Sequence, residues 1–344
     1  FAVQCSPDHP WLAQHPEWFK RRPDGSIRYA ENPPKKYQDI VNPDFYATQP
    51  EALWAALRDV VLFWVKQGVR IFRVDNPHTK PFPFWEWLIK EVQDRHSDVI
   101  FLAEAFTRPK IMKTLAKLGF TQSYTYFTWR TGKDELQAYL SELTRYPERE
   151  YYRPNFFTNT PDILPFHLQG GEPWMFKSRV ALAATLSASY GIYNGFELIE
   201  HEPIAGREEY IDSEKYEIKV RDWNQPGNIK GYIAELNRIR RSNPALQQTS
   251  NLTFVAVDDP HVIGFVKESA DRTNAVAAAI ALEQTPRQFW FHFGDLEIGP
   301  GDDRRPVAAI ENLSTGERHG VEWGGVRLYL DPARDPAVFF RCLS

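Results

Sequence analysis

The sequence is poor in sulfur, in long apolar runs and in surplus positive charge. Its 344 residues include two cysteines, Cys5 and Cys342, at opposite ends. That excludes a disulfide framework, leaves room for one terminal bridge at most, and makes a reducing, cytoplasmic compartment the expectation. Apolar runs such as Val60–Val65 fall far short of the ~20 residues that cross a bilayer. The opening residues carry no basic-then-apolar leader pattern, so no membrane role is expected. Lys+Arg 41 against Asp+Glu 45 gives a formal net charge of −4, and no stretch concentrates the basic residues, so nucleic acid is not an expected partner. Metal-site spacings of Cys and His are missing, as is a glycine-rich phosphate loop, since Gly170-Gly171 lacks the flanking pattern. Neither a metal nor a nucleotide cofactor is expected.

Aromatic residues, in contrast, are abundant: 11 Trp, 15 Tyr and 23 Phe, 14% of the chain. Flat rings in this quantity serve sugar stacking and large cores alike, and composition alone does not separate the two. The length allows two domains, or one large barrel with an appendage.

Along the chain, Ala2–Cys5 reads as a strand entered midway through a fold. Residues 6–50 are dense in Pro, Asp and Asn and include the turn Pro23-Asp24-Gly25; this is an irregular inserted subdomain by expectation, too long for a plain connector. A helix over 51–67, with Gly68 as its C-cap, is followed by a strand, Val69–Asp75. Helix and strand then alternate: helix 85–95, strand 99–103, helix 110–118, strand 122–127, helix 134–143, strand 155–159, helix 173–187 and strand 189–193. Such alternation predicts a parallel β/α architecture, an α/β fold of which the (β/α)8 barrel is the leading form. Six strands are counted where a closed barrel needs eight, so the first two are expected upstream of Phe1. After a helix over 229–241 the pattern changes to short β-rich runs with turns. The expectation is a partial barrel over 1–248 and an antiparallel β-sandwich over 249–344.

Chemistry concentrates at two strand ends. Side chains alternate along a strand, so Arg73 and Asp75 share one face while Phe72 and Val74 take the other. Glu104 ends the next strand, Val99–Ala103. Carboxylates on adjacent strand ends at the C-terminal mouth of a parallel barrel suit glycoside chemistry, in which retaining enzymes hold a nucleophile and an acid about 5–5.5 Å apart. Arg73 would keep Asp75 ionised, and a less compensated Glu104 would hold its proton. Each acid alone is better explained by a turn or a helix-entry charge; the pair on consecutive strand ends reverses that. Asp162, in Thr160-Pro161-Asp162, is a candidate third carboxylate or a Pro-Asp turn. His9 and His78 also follow strands and could donate to sugar hydroxyls.

These residues resemble the motifs of the α-amylase-type superfamily of retaining glycosidases and transglycosylases. Gly68–Asp75 resembles its nucleophile motif, Phe101–Glu104 its acid/base motif and Asn159–Asp162 its third-carboxylate motif. Within it, Asn76 after the nucleophile, Cys5–Trp11, Asn32–Ile40 and Arg221-Asp222-Trp223 are similar to the bacterial transferases that move maltose from α-maltose 1-phosphate onto α-1,4-glucan with release of phosphate. The resemblance implies Asp75 as nucleophile, Glu104 as general acid/base, Asp162 as transition-state stabiliser and Arg73 as the nucleophile's partner. It further implies Lys35, Tyr37 and Asn76 on the donor phosphate, Lys215 on donor sugar, and room for a homodimer of the full-length protein. Pro161 stands where ordinary amylases carry His, which favours transfer over amylase-type hydrolysis. A related hydrolase or isomerase of the trehalose synthase type, and a non-catalytic glucan-binding protein, remain the alternatives.

Overall fold

Helix Pro50–Lys66 forms where Leu53, Leu57, Val61 and Val65 recur at four-residue spacing, and all four are buried. Its first residue is proline, as is that of Pro109–Lys117 and Pro173–Leu186, while Phe82–Gln93 has Pro83 second. Proline costs nothing at these positions, because the first N–H groups of a helix have no intrahelical partner. Gly68, at φ +101°, turns the chain out of the first helix. The computed structural model describes residues 1–32, 35–47, 49–212 and 218–344. It divides into two units, Phe1–Tyr124 with Tyr151–Arg153, and Thr125–Glu150 with Pro154–Ser344.

In the first unit, strands Ile71–Asp75, Ile100–Glu104 and Gln122–Tyr124 pair in parallel, with Asp75 opposite Glu104 and Ala103 opposite Ser123. Phe72, Val74, Phe101 and Ala103 join Phe84, Trp85 and Leu88 of helix Phe82–Gln93 in one buried core. Residues 6–50 hold a short helix, Trp11–Gln14, and an antiparallel pair of strands, Tyr29–Asn32 with Lys35–Val41. The expected strand over Ala2–Cys5 is absent: Val3 has φ +52°, which breaks an extended run. What remains is a single bridge from Cys5 to Val41 and a bond from the Asp75 N–H to the Phe1 carbonyl, 3.3 Å. The strand expected over 122–127 stops at Tyr124, because Thr125 accepts from the Phe127 N–H and starts a 3-10 turn, Tyr126–Trp129.

In the second unit, Pro154–Phe157 and Ser189–Gly191 pair in parallel. Helix Pro173–Leu186 is buried on nearly every side. The antiparallel part includes a six-stranded sheet, a three-stranded sheet and the short pair Glu297–Ile298 with Arg305–Pro306. The first runs in the order Arg318–Gly320, Ala309–Asn312, Ala337–Leu343, Ala275–Ala281, Val262–Glu268, Leu252–Phe254; the second in the order Gly325–Leu330, Arg287–His292, Ala256–Val257. Val262, Ala277, Phe289, Phe291, Val326 and Leu328 meet in a common core. Parallel strands joined by helices, and antiparallel sheets after them, accord with the order read from sequence. Both cysteines are buried free thiols, and burial pushes Cys342 up to about 12.

Candidate active site

Alternation along Ile71–Asp75 buries Phe72 and Val74 and leaves Arg73 and Asp75 half-buried on the opposite face. Because Asp75 and Glu104 occupy the same register on paired strands, their side chains emerge side by side. Glu104 is only 6% exposed. Burial, with the Asp75 carboxylate adding to it, raises its pKa to about 8 against the opposing pull of Arg73. The shift favours the protonated form, the one a general acid needs.

Arg73 serves both acids, with guanidinium nitrogens 3.7 Å from Asp75 Oδ1 and 3.5 Å from Glu104 Oε1. Glu104 is thus no less compensated than Asp75, contrary to the sequence expectation; its pKa is raised because desolvation outweighs the nearby cation. Asn76 fixes the corner. It adopts the left-handed conformation, φ 47° and ψ 48°, which Asn tolerates better than most residues. Its N–H donates to the Glu104 carbonyl at 2.9 Å, and Glu104 Oε2 lies 3.4 Å away.

Two participants have no sequence motif to mark them. Tyr124, one residue beyond the Ala103–Ser123 pair, is buried, bonded to Arg73, and has that guanidinium 5.9 Å from its ring centroid. The only sequence signal for it is position at a third strand end. Lys80 is a buried ammonium whose Nζ donates to Thr79 Oγ1 at 3.1 Å and Asn42 Oδ1 at 3.4 Å. Burial pulls it down to about 8, with Asp75 acting in the opposite sense.

The other sequence candidates are placed as follows. His78 is held below its usual pKa by burial and by Lys80. His9 accepts from the Trp11 N–H at 3.2 Å and meets that ring edge-on, a turn role. Lys35 and Tyr37 lie on the Lys35–Val41 strand, and no bond joins Tyr37 to Asp75, Glu104 or Asn76 among the described residues. Asp162 belongs to the second unit; it is exposed in a turn closed by the Thr160–Ile163 bridge, its N–H donating to Thr160 Oγ1 at 3.3 Å. Asn159, in the same motif, is buried and pinned by Tyr210 OH at 2.6 Å and the Tyr193 N–H at 2.9 Å. Lys215 lies outside the described residues. No group of three or more His, Cys, Asp or Glu suited to a metal occurs among the described residues, and no helix among them is long and apolar enough to cross a membrane.

No family model matches the chain. Among solved structures it is similar to an α-amylase of Geobacillus thermoleovorans complexed with acarbose, with TM-score 0.76 at 14% identity over 100% of this chain and 76% of that one. It is also similar to an α-amylase of Lactobacillus plantarum, with TM-score 0.68 at 18% identity over 99% of this chain and 76% of that one. At such identity the likeness concerns the fold. In sequence it is 54% identical over 345 residues to an alpha-1,4-glucan:maltose-1-phosphate maltosyltransferase of Rhodospirillum rubrum, covering 99% of this chain and 49% of that protein. It is 56% identical over 332 residues to the protein of the same name from Pseudomonas aeruginosa, covering 94% and 49%, and 51% identical over 350 residues to that of Chlorobaculum tepidum, covering 99% and 52%. The chain spans about half the length of these curated relatives. Over the span it covers, the chain is similar in sequence to these named maltosyltransferases.

Proposed function

We propose that this chain carries the catalytic carboxylates of a retaining maltosyltransferase, which moves maltosyl units from α-maltose 1-phosphate to the non-reducing end of an α-1,4-glucan and releases phosphate. One observation supports this reading above the others: a buried Glu104, its pKa raised by burial, stands beside Asp75 on adjacent parallel strand ends, with Arg73 within 4 Å of both. Asp75 attacks the anomeric carbon, the bond from that carbon to the phosphate oxygen breaks, and the Glu104 proton passes to the departing phosphate. The maltosyl group is then held as an ester on Asp75. Glu104, now ionised, takes the proton of the acceptor's 4-hydroxyl as that oxygen attacks the anomeric carbon and the ester bond to Asp75 breaks, which restores the acid, frees the Asp75 carboxylate and, after two inversions, retains the anomeric configuration.

In the same reading, Asn76, Tyr37 and Lys35 hold the donor phosphate, Lys215 contacts donor sugar, and Asp162 stabilises the transition state. A lysine with neutral donors can bind one phosphate without an extended basic patch. The parallel strands are part of a (β/α)8 barrel over 1–248 whose remaining strands lie outside this chain, with a β-sandwich over 249–344. The protein works in the cytoplasm, with homodimer formation a property of the longer protein. The reading is tested by incubating the intact protein that contains this chain with α-maltose 1-phosphate and maltotetraose. Phosphate release and chain extension by two glucosyl units are expected together, and Asp75→Ala abolishes both. Maltose release without extension would show a hydrolase instead.

A further inference from the structure

The second unit contains a cavity of about 490 Å³ that the reaction above does not use. One wall is a stripe of helix Lys230–Ser242, with Tyr232, Leu236 and Ile239 on one face. The facing wall comes from the end of strand Gly325–Leu330, the turn that follows it, and the start of strand Ala337–Leu343. Three features distinguish it from a packing gap. Tyr329 sits on a strand whose Val326, Leu328 and Leu330 are buried, so alternation turns its ring outward, where it is 63% exposed. The Arg334 side chain forms no hydrogen bond or ion pair among the described residues, although its backbone is fixed by the Lys177 ammonium at 2.8 Å and by Asp331 at 3.0 Å. The Tyr232 hydroxyl is sealed from solvent and faces the Asp335 carboxylate without a well-formed hydrogen bond.

The walls select the ligand's chemistry. Glu235 is already engaged by Arg238 at 2.6 Å and by Ser314 at 3.0 Å; Asp331 and Asp335 each accept one backbone N–H, from Ala333 at 3.2 Å and Ala337 at 3.1 Å, which leaves their second carboxylate oxygens as acceptors and Arg334 as donor. Among the described residues that line the cavity, the carboxylates of Glu235, Asp331 and Asp335 outnumber the cation of Arg334, so an anionic ligand is disfavoured, and a purely apolar ligand would strand these polar groups. A neutral polyol with a flat C–H face matches both sets, because it donates and accepts through its hydroxyls and lays its ring on an aromatic side chain. We propose that this cavity binds an α-glucan chain, on the unit that does not contain Asp75 and Glu104. There Tyr329 stacks on a pyranose ring, and Arg334 and Asp331 bond its hydroxyls. The choice of α-glucan among polyols rests on the maltosyltransferase reading.

The test measures retention of the intact protein in native gels cast with glycogen, and its affinity for maltoheptaose by calorimetry. Tyr329→Ala and Arg334→Ala are each expected to weaken binding about fivefold to tenfold. Both side chains are at the surface, and an unchanged melting temperature verifies that the variants fold. Asp75→Ala should be retained as well as the unsubstituted protein. Undiminished binding in both cavity variants, or no retention of the unsubstituted protein, overturns the site. Phosphate release with maltotetraose is measured in parallel and should be unaffected by Tyr329→Ala. Its absence from the unsubstituted protein, with retention still lost in Tyr329→Ala, would overturn the transferase reading and leave the glucan site standing.

Discussion

Glu104 sets the expected response to pH. Its folded-state pKa, near 8 against an ordinary 4.5, means that the folded protein holds a proton that the unfolded chain releases across that window. Stability from this group is fully present below about 4.5 and is lost as the pH rises towards 8, with a limiting slope of about 1.4 kcal/mol per pH unit. Glu104→Gln keeps the shape and cannot ionise, so its unfolding free energy, measured by denaturant titration from pH 5 to 9, should lack that decline. In the maltosyltransferase reading the same variant should transfer maltosyl units about 10²- to 10⁴-fold more slowly, and the alkaline limb expected of the unsubstituted protein as Glu104 ionises should be missing from its rate profile. A native rate that keeps rising above pH 9 would remove Glu104 as the acid. The pair Asp75 and Glu104 was legible in the sequence because it needs only strand periodicity and two strand ends. Tyr124 and Lys80 were not, since their relation to the pair arises from a third strand and from a turn that periodicity does not describe.

Elements were legible where one physical rule determined them. Leu53, Leu57, Val61 and Val65 announce a helix by spacing alone, and Ala275–Ala281, buried along its whole length, announces an interior strand. Strands Ala309–Asn312 and Arg318–Gly320 went unread because they are short and partly polar; they exist through pairing with Ala337–Leu343 and with each other. Helix Pro173–Leu186 shows what pattern reading misses in an interior helix. Its Arg179 is fully buried, donates to the carbonyls of Arg130 at 2.7 Å and Phe127 at 2.6 Å, and lies 4.2 Å from the Phe127 ring centroid. Burial drags this guanidinium down to about 9, so its carbonyl partners and the ring must offset a desolvation cost. Arg179→Met removes the side-chain donor from the Arg130 carbonyl and leaves the Phe127 carbonyl with the Arg130 N–H at 3.1 Å, and should lower the unfolding free energy by about 2–5 kcal/mol. A guanidinium chloride midpoint equal to that of the native protein would show the cation to be dispensable.

At the scale of the molecule, the edge of the parallel sheet carries a consequence for handling. Strand Ile71–Asp75 is paired along one side with Ile100–Glu104; on the other, among the described residues, Phe1 makes the strand-like bonds, to the Arg73 carbonyl at 2.7 Å and from the Asp75 N–H at 3.3 Å. Beside that edge, Trp64 and Ile71 are about half exposed, at 49% and 58%, around an apolar cavity of about 460 Å³. An open strand edge next to exposed apolar surface is a template for association, and natural proteins usually cover or charge such edges. In the barrel reading, further strands supply the cover. The 344-residue chain expressed alone should therefore self-associate in a concentration-dependent way by sedimentation velocity and should bind a hydrophobic dye. Trp64→Glu with Ile71→Lys should suppress both by charging the edge, and so should extension to the full length of the relatives, because both act on the same surface by different means. A chain that stays monomeric and dye-free at 100 times the dye-assay concentration, about two decades of mass action, would mean that this edge is self-sufficient and that the barrel reading places strands where none are needed.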